Sequence, residues 1–418
     1  MKNLFSIIVC LLTVTAFCQA QVTIVKLPPG RKIEELKAHV TKPANIVGVS
    51  STADDNKYDF ISMKASRLKF EKAKRYKLNV AAFADYFHKN IKDSVAGYVL
   101  QVTRGGNVIS NVKWNWAQTP ADASQGWDYD TKMHVASVSK YITAMGMYKA
   151  LKLAQLSVDT KIIDYLPAYW VKGSNIDKIT FRHLLTHRAG FNYACCDTDY
   201  DFMKQKVAEG VSAVGGNGQY HNMNFGLCRI LIPTVMKYIN TGNDMTDAEW
   251  DGSAIFWYQY FTQQYIMSPA GVQNASFANY PELKHALAYN FPSIDTDGWD
   301  SGNLSTISGG AGWRLSVTDL LKIMDLARRH TDIFRGNEFQ EALDAYLGID
   351  QIIETPAGKL YNKNGRWRNN GRTEQSVIYF LPDDIEVAVL VNSKINNGEG
   401  QSLRGRVKEA YLMSLRLE

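Results

Sequence analysis

Three features are missing from the sequence, and each absence narrows the class of protein. Outside the first twenty residues no stretch is long and apolar enough to span a bilayer, so no further membrane insertion is expected. No lysine and arginine run is interleaved with aromatic residues, and the formal net charge is only +6, so no nucleic-acid partner is expected. The basic stretch from Lys64 to Lys77 is interpreted as a solvated helix or linker, with a membrane or polyanion patch as the alternative. The sequence also lacks internal repeats and low-complexity segments.

Cysteine is scarce, with five in 418 residues. Two of them precede the expected mature chain, which leaves Cys195, Cys196 and Cys228. In an exported protein one of the adjacent pair could form a disulfide with Cys228, but the odd count leaves at least one thiol unpaired or bonded to another molecule. Three buried thiols are the alternative.

The first residues predict an export signal. A short charged start precedes an apolar stretch from Leu4 to Phe17, which is too short to span a bilayer, and a small-residue cleavage point follows at Ala20. A cleaved signal peptide over residues 1–20 and a periplasmic or secreted location are therefore expected. A lipid anchor on Cys18 is less favoured, because the bulky Phe17 stands just before it.

Behind the signal, residues 21–75 are interpreted as an N-terminal extension with little core, because Pro28-Pro29-Gly30 and charged runs interrupt them. Residues 76–418 are expected to hold the main domain. The whole chain is 45% hydrophobic, which suffices for a large core.

Strand patterns stand near both ends of this main domain. The predicted strands form two hairpins, Ala96–Thr103 with Asn107–Lys113 and Glu374–Leu381 with Ile385–Val391. Helices are predicted at Val80–Lys89, Tyr141–Leu153 and Gln401–Leu417. The fold class that follows is α/β (α+β): an antiparallel β-sheet built from both chain ends and flanked by helices, with a mainly helical inserted lobe. Residues 76–136 and about 345–418 would form the sheet lobe, and residues 137–344 the helical lobe.

Candidate catalytic residues come from a serine followed three residues later by a lysine. On a helix such a pair shares one face, so a lysine kept neutral by burial can act as the base of the serine. The pattern occurs as Ser66 with Lys69, Ser110 with Lys113 and Ser137 with Lys140. Ser66 lies among many cations, and Ser110 lies in a predicted strand, where i and i+3 face opposite sides. Ser137 alone opens a helix of buried type, whose N-terminus offers an N–H group to an oxyanion.

Ser137 is also the first in an ordered series of motifs. The series is Ala136-Ser-Val-Ser-Lys140, Gln155-Leu-Ser-Val-Asp159, Asp164-Tyr-Leu-Pro167 and Ile179-Thr-Phe-Arg-His-Leu-Leu-Thr-His-Arg-Ala-Gly190. Together these motifs resemble the serine β-lactamase-like hydrolases, and most of all the branch of class C β-lactamases, D-aminopeptidases and esterases, which is similar to penicillin-binding proteins. The resemblance covers roughly residues 80–415 and implies a β-lactamase/transpeptidase-like fold.

The resemblance implies a second element of the site, because Tyr220-His221-Asn222 matches the family's Tyr-x-Asn motif. In that role Tyr220 would relay the proton between the serine and the leaving group. Asn222 would orient Lys140 and hold a substrate carbonyl.

The third implied element is Lys363-Asn364-Gly365, which matches the family's Lys-x-Gly strand. Lys363 would attract a substrate carboxylate, Gly365 would let the acyl chain approach the strand, and the N–H groups of Ser137 and Arg366 would hold the oxyanion. Asn364 stands where β-lactamases and penicillin-binding proteins usually have threonine or serine. With the polar residues that follow, this difference leaves specificity for β-lactams open.

Three other motifs are interpreted as structural. His183 and His187 are spaced like zinc ligands, but the intervening glutamate and a third ligand are missing. The alternating aspartates from Asp197 to Asp201 lack the glycine and glutamate of a calcium loop and are interpreted as an acidic rim loop. The glycines from Gly309 to Gly312 lack the lysine of a phosphate loop and are expected to line the cleft or turn the chain.

The predicted function is therefore an exported serine hydrolase that acts through an acyl-enzyme on an amide or ester, whether β-lactam, D-amino-acid peptide or simple ester. Ser137, Lys140 and Tyr220 would be catalytic. Asn222, Lys363, Asn364 and Gly365 would bind the substrate. No metal or cofactor is expected, and the partner is a small-molecule or peptide substrate. A non-catalytic, penicillin-binding-like ligand-binding protein is the alternative.

Overall fold

The computed structural model describes residues 50–51, 76–191, 198–395 and 402–417. The predicted signal, nearly all of the expected extension at 21–75, and the adjacent Cys195 and Cys196 lie outside the described residues. Contacts divide the chain into two units, Met1–Thr41 and Lys42–Glu418, and every described residue belongs to the second. Within the ranges described, every helix is too short or too polar to cross a bilayer.

The elements are numbered here in chain order. The strands are β1 (Ser50–Ser51), β2 (Tyr76–Leu78), β3 (Gly97–Arg104), β4 (Asn107–Gln118), β5 (Gln125–Gly126), β6 (Met133–His134), β7 (Arg314–Leu315), β8 (Gln351–Thr355), β9 (Gly358–Asn369), β10 (Arg372–Leu381), β11 (Ile385–Val391) and β12 (Leu415–Leu417). The α-helices are α1 (Val80–Ile91), α2 (Ser139–Leu153), α3 (Phe181–Leu185), α4 (Tyr200–Glu209), α5 (Met223–Val235), α6 (Asp247–Thr262), α7 (Val317–Arg329), α8 (Glu338–Asp344) and α9 (Leu403–Met413).

One antiparallel sheet of eight strands organises the described residues. Its order is β1-β4-β3-β11-β10-β9-β8, with β5 added to β4. The two chain ends meet at its centre, where β3 pairs with β11 in a register that runs from Ile385 opposite Arg104 to Val391 opposite Tyr98. The predicted sheet built from both chain ends is therefore confirmed.

Helices cover both faces of the sheet. Successive side chains of a buried strand point to opposite sides, so neighbouring residues of β3 pack against different helices. Leu100 packs in one apolar cluster with Phe83 of α1 and Val407 of α9. Its neighbour Val99 packs in a second cluster with Ile142 of α2 and most of the inserted helices. Burial of each such side chain contributes about 1.5–3 kcal/mol. The mainly helical inserted lobe thus rests on one face of the sheet.

Several elements differ from those predicted. The final helix ends at Met413 rather than Leu417, because Leu415–Leu417 forms a strand that pairs with Tyr76–Leu78. The hairpin of β8 and β9 was not predicted at all. The prediction of an acidic rim loop is wrong for Asp199 and Asp201. Asp199 accepts from Phe202 N–H at 2.7 Å and caps α4, and Asp201 lies within that helix. Asp197 lies outside the described residues.

Candidate active site

A strained turn before α2 presents Ser137 at the wall of a cleft. Ala136–Val138 form a 3₁₀ turn, and Ala136 has a φ of 45°, a left-handed conformation that costs a residue with a Cβ about 1–2 kcal/mol. Hydrogen bonds on both sides of Val135 hold the turn: its N–H donates to Trp313 O at 2.9 Å, and its carbonyl accepts from Ser376 Oγ at 2.6 Å. The backbone around the serine is therefore fixed before any ligand arrives.

Lys140 lies one helical turn after the serine and is fully buried. Its Nζ is 3.0 Å from Ser137 Oγ, 2.8 Å from Asn222 Oδ1 and 2.6 Å from Gly310 O. All three acceptors are neutral groups. Burial lowers the pKa of Lys140, and the charge of nearby Lys363 lowers it further, although a tyrosine and an aspartate close by act in the opposite direction. This environment favours the neutral amine that a general base requires.

Tyr220 stands in the loop before α5 and completes a triangle with the serine and the lysine. Its hydroxyl group lies 2.7 Å from Ser137 Oγ, and its ring centroid lies 5.1 Å from Lys140 Nζ. Although the side chain is 52% exposed to the cleft, packing around the hydroxyl group desolvates it and raises its pKa. The charges of Lys140 and Lys363 outweigh that effect, so the pKa of Tyr220 is lowered overall. A phenol in this position can exchange a proton with the serine at moderate pH.

His187 supports the tyrosine from behind. Its ring centroid lies 4.4 Å from that of Tyr220, and its Nδ1 accepts from His221 N–H at 3.3 Å. Burial, together with the charges of the two lysines, lowers its pKa well below the usual value. His187 is therefore a neutral ring that packs against Tyr220.

The glycine loop before β7 supplies the third hydrogen-bond acceptor of Lys140. Gly310 O accepts from Lys140, and Gly309 O accepts from Thr143 Oγ1 at 2.7 Å. Gly309 has a φ of 88°, and a Cβ there would lie 2.5 Å from Phe225 O, so only glycine fits. Of the two alternatives expected for these glycines, the structure favours the second: Gly309 and Gly312 turn the chain with φ values of 88° and 103°, and Ala311 is the residue of this loop that lines the cleft. Sequence reasoning missed that a carbonyl of this loop binds the lysine.

Strand β9 forms the opposite wall and carries the second buried lysine. Lys363 Nζ lies 5.1 Å from the Tyr220 ring centroid and 2.5 Å from Asp350 Oδ1. Burial lowers the pKa of Lys363, but the carboxylate of Asp350 and the phenol of Tyr220 more than compensate, so this pKa is raised. Asn364 Oδ1 accepts from Arg404 Nη1 at 3.1 Å. Sequence reasoning missed Asp350, which stands just before β8.

Gly365 brings this strand against the serine. A Cβ at this position would lie 2.4 Å from Val135 O and 2.7 Å from Ser137 N, so any larger residue would push β9 away from the turn. The backbone of Arg366 follows directly along the same strand. Because β9 lies so close to Ser137 N, the N–H groups of Ser137 and Arg366 are near enough to face one oxygen atom, as an oxyanion hole requires.

The two walls enclose a cleft of about 750 Å³. The residues that line it include most of the candidates predicted from the sequence: Ser137, Tyr220, Asn222, Asn364, Gly365 and Arg366. Lys140 and Lys363 are buried behind this surface and reach it through their amino groups. The structure thus brings together all seven residues predicted as catalytic or substrate-binding.

The remaining candidates do not form sites. Ser110 is buried in β4, whereas Lys113 pairs with Asp128 at 3.3 Å; Ser66 lies outside the described residues. His183 caps α3 by accepting from Thr180 N–H through Nδ1 at 3.1 Å. No three potential metal ligands cluster among the described residues.

Cys228 is a free thiol in the interior of α5. Burial raises its pKa far above the usual value. The thiol is therefore a packing group rather than a nucleophile.

Comparisons with known proteins show the family and the fold. A family model described as Beta-lactamase matches residues 81–412, whereas no curated protein gives a significant match. A beta-lactamase/D-alanine carboxypeptidase from Yersinia pestis, complexed with citrate, is 14% identical, with 80% of this chain and 98% of that chain covered at a TM-score of 0.60. A class C beta lactamase from Rhodobacter sphaeroides is 20% identical, with 79% and 98% covered at 0.57. A D-stereospecific amidohydrolase from a Streptomyces species is 18% identical, with 79% and 98% covered at 0.57.

Proposed function

This chain belongs to the beta-lactamase family, as its ordered motifs predicted, and on that premise we propose that it is a serine hydrolase that cleaves an amide or ester through an acyl-enzyme. Ser137 is the nucleophile, and Lys140 with Tyr220 is its proton acceptor. Asn222 orients the lysine, and Gly365 admits the acyl chain beside β9.

The reaction follows from the positions of these groups. Ser137 Oγ bonds to the carbonyl carbon while its proton passes to the Lys140–Tyr220 pair, and the carbonyl electrons move onto the oxygen, where the N–H groups of Ser137 and Arg366 hold them. Collapse of this intermediate expels the leaving group, which takes its proton from Tyr220. Water then attacks the acyl-enzyme and gives a proton back to Ser137 Oγ through the same pair.

One observation carries the proposal: Ser137 Oγ lies within hydrogen-bond distance of two groups whose pKa values are both lowered. A buried lysine with a purely structural role would be expected to pair with a carboxylate. Lys140 instead donates to a serine hydroxyl group, an amide oxygen and a backbone carbonyl, none of which is a carboxylate. Perturbed groups that converge on one hydroxyl in a cleft are typical of catalytic sites.

The names of the similar structures indicate the class of substrate. The similar structures are described as a beta-lactamase/carboxypeptidase, a class C beta lactamase and a D-stereospecific amidohydrolase. They support an amide or peptide substrate for this chain as well. The short apolar N-terminal stretch supports export to the periplasm or the medium, with cleavage after Ala20.

The test is covalent labelling of the serine. The mature protein is incubated with a fluorophosphonate and, separately, with a fluorescent penicillin, and mass spectrometry locates the adduct. We expect the fluorophosphonate on Ser137, loss of labelling in Ser137→Ala, and unchanged labelling in Ser110→Ala, which removes the serine of the other described Ser-x-x-Lys pair. Folded protein that neither reagent labels at Ser137 would instead be a non-catalytic ligand-binding relative.

A further inference from the structure

Lys363, the cation that the sequence offers to a substrate carboxylate, is already paired in the structure. Its Nζ lies 2.5 Å from Asp350 Oδ1, and Asp350 Oδ2 accepts from Asn364 N–H at 3.0 Å. The lysine side chain is 1% exposed and the aspartate side chain 11%. Both oxygens of Asp350 are therefore engaged, and this carboxylate shares the Lys363 end of the cleft.

The backbone holds Asp350 in place. Its N–H donates to Asn362 O at 2.8 Å, which continues the β8–β9 register of Gln351 opposite Asn362. Asp350 therefore stands opposite Lys363 across the hairpin. Because both side chains are nearly dry, dissolved salt screens their attraction only weakly. The ammonium group of Lys363 is therefore already paired with a carboxylate before a substrate arrives.

This end of the cleft is where the leaving group lies in the proposed mechanism. Tyr220, which protonates the leaving group, has its ring centroid 5.1 Å from Lys363 Nζ. A negatively charged leaving group would meet the Asp350 carboxylate as well as the ammonium group. Like charges repel strongly in a partly buried site, and repulsion of this kind discriminates between substrates.

We propose that Asp350 is a specificity-determining residue that blocks Lys363 as a carboxylate receptor, so that the enzyme prefers esters and amides with uncharged leaving groups. This inference rests on the proposed function, because it concerns the substrate of the Ser137 site. It also differs from the role that the family resemblance implies for Lys363, namely to attract a substrate carboxylate.

Three arginines, Arg366, Arg368 and Arg404, also line the cleft. Arg366 and Arg368 occupy alternate positions after Asn364 on β9. The side chains of these three β9 residues therefore share the face of the strand opposite to Lys363. Arg404 Nη1 donates to Asn364 Oδ1 on that same opposite face. An anionic group bound by these arginines would therefore approach β9 from the face opposite to Lys363.

A matched pair of substrates tests the proposal: 3-acetoxybenzoate and its methyl ester share the acetyl group and differ in the charge of the leaving group. Asp350→Asn removes the carboxylate and keeps the size. We expect the wild type to prefer the methyl ester, and the ratio of kcat/KM for the acid over the ester to rise at least about tenfold in Asp350→Asn. The control Asp344→Asn, which removes a carboxylate 2.9 Å from Lys359 Nζ, should leave the ratio unchanged.

An unchanged ratio in folded Asp350→Asn, or an equal rise in Asp344→Asn, overturns the proposal. A second readout needs no turnover: in a ligand-observed NMR titration, the Kd of 3-hydroxybenzoate should fall at least about tenfold in Asp350→Asn while that of its methyl ester stays constant. If Ser137 is neither labelled nor active, the proposed function fails, but this titration still decides the role of Asp350. Should Asp350→Asn not fold, Asp350→Ser is measured in its place.

Discussion

The two walls of the cleft each carry a buried lysine, and the two lysines make an internal comparison. Lys140 on the helical wall and Lys363 on the strand wall are both nearly inaccessible to solvent, and the Nζ of each lies 5.1 Å from the ring centroid of Tyr220. Their hydrogen-bond partners differ. Lys140 contacts a hydroxyl group, an amide oxygen and a backbone carbonyl, whereas Lys363 contacts the carboxylate of Asp350.

That difference in partners accounts for the opposite directions of the two pKa values. Burial alone lowers the pKa of both amines, because a low dielectric disfavours the charged form. At Lys363 the carboxylate of Asp350, together with the phenol of Tyr220, more than reverses this effect. At Lys140 nothing does, so its pKa stays lowered. In the proposed mechanism the same residue type thus acts as a base on one wall and as a fixed cation on the other.

The largest expected effect comes from removing each lysine in turn. Lys140→Met should reduce the rate of Ser137 labelling by about 10³-fold, because general-base catalysis contributes about 10²–10⁴-fold. Lys363→Met should cost a smaller factor than Lys140→Met, because it removes a charge near Tyr220 but not the base. Labelling rates are compared at one pH, with thermal unfolding as the control for folding. Equal losses in the two variants would contradict the assigned roles.

A smaller effect is expected when the partner of Lys140 is changed to resemble that of Lys363. Asn222→Asp places a carboxylate where Asn222 Oδ1 now lies, 2.8 Å from Lys140 Nζ. This charge should raise the pKa of Lys140, keep the amine protonated at neutral pH, and lower kcat/KM for an ester by at least about tenfold.

Activity of Asn222→Asp should recover as the pH rises, because the base is restored once its proton is lost. Asn222→Ala is the matched control, since it removes the amide without adding charge. The activity of this control should rise at no higher pH than that of the wild type, because no added carboxylate raises the pKa of Lys140. If the activity of Asn222→Asp rises at the same pH as that of the wild type, residue 222 does not set the protonation state of Lys140.

The smallest effect concerns the pH dependence of the Lys363→Met variant. The charge of Lys363 lowers the pKa values of both Lys140 and Tyr220. Without that charge both pKa values rise, and a base with a raised pKa needs a higher pH to lose its proton. The limb on which activity rises with pH should therefore move to higher pH than in the wild type. A limb that stays in place or moves to lower pH would contradict this coupling.

Spacing and motif order predicted the residues of the site, and the structure places them together. Ser137 and Lys140 are near in sequence, so a helical turn suffices to predict their contact. The sheet from both chain ends was predictable for a similar reason, because its hairpins have short turns and alternating patterns.

The contacts that separate the two lysines could not be predicted in this way. Asp350 meets Lys363 only because β8 and β9 form a hairpin in one register, with Gln351 opposite Asn362. The turn signal Thr355-Pro356-Ala357-Gly358 between these strands could have indicated the hairpin. Gly310 offers its carbonyl to Lys140 through backbone conformation, which leaves no side-chain signal in the sequence.

The most direct test of the comparison is an NMR titration of the two lysines labelled with ¹³C at Cε. The signal that disappears in Lys140→Met should titrate below the ordinary lysine pKa of about 10.4. The signal that disappears in Lys363→Met should titrate above the ordinary lysine pKa, because this amine keeps its proton to higher pH. The reverse order, or two ordinary titrations, would contradict the account that a carboxylate on one wall and neutral acceptors on the other give the two lysines their different roles.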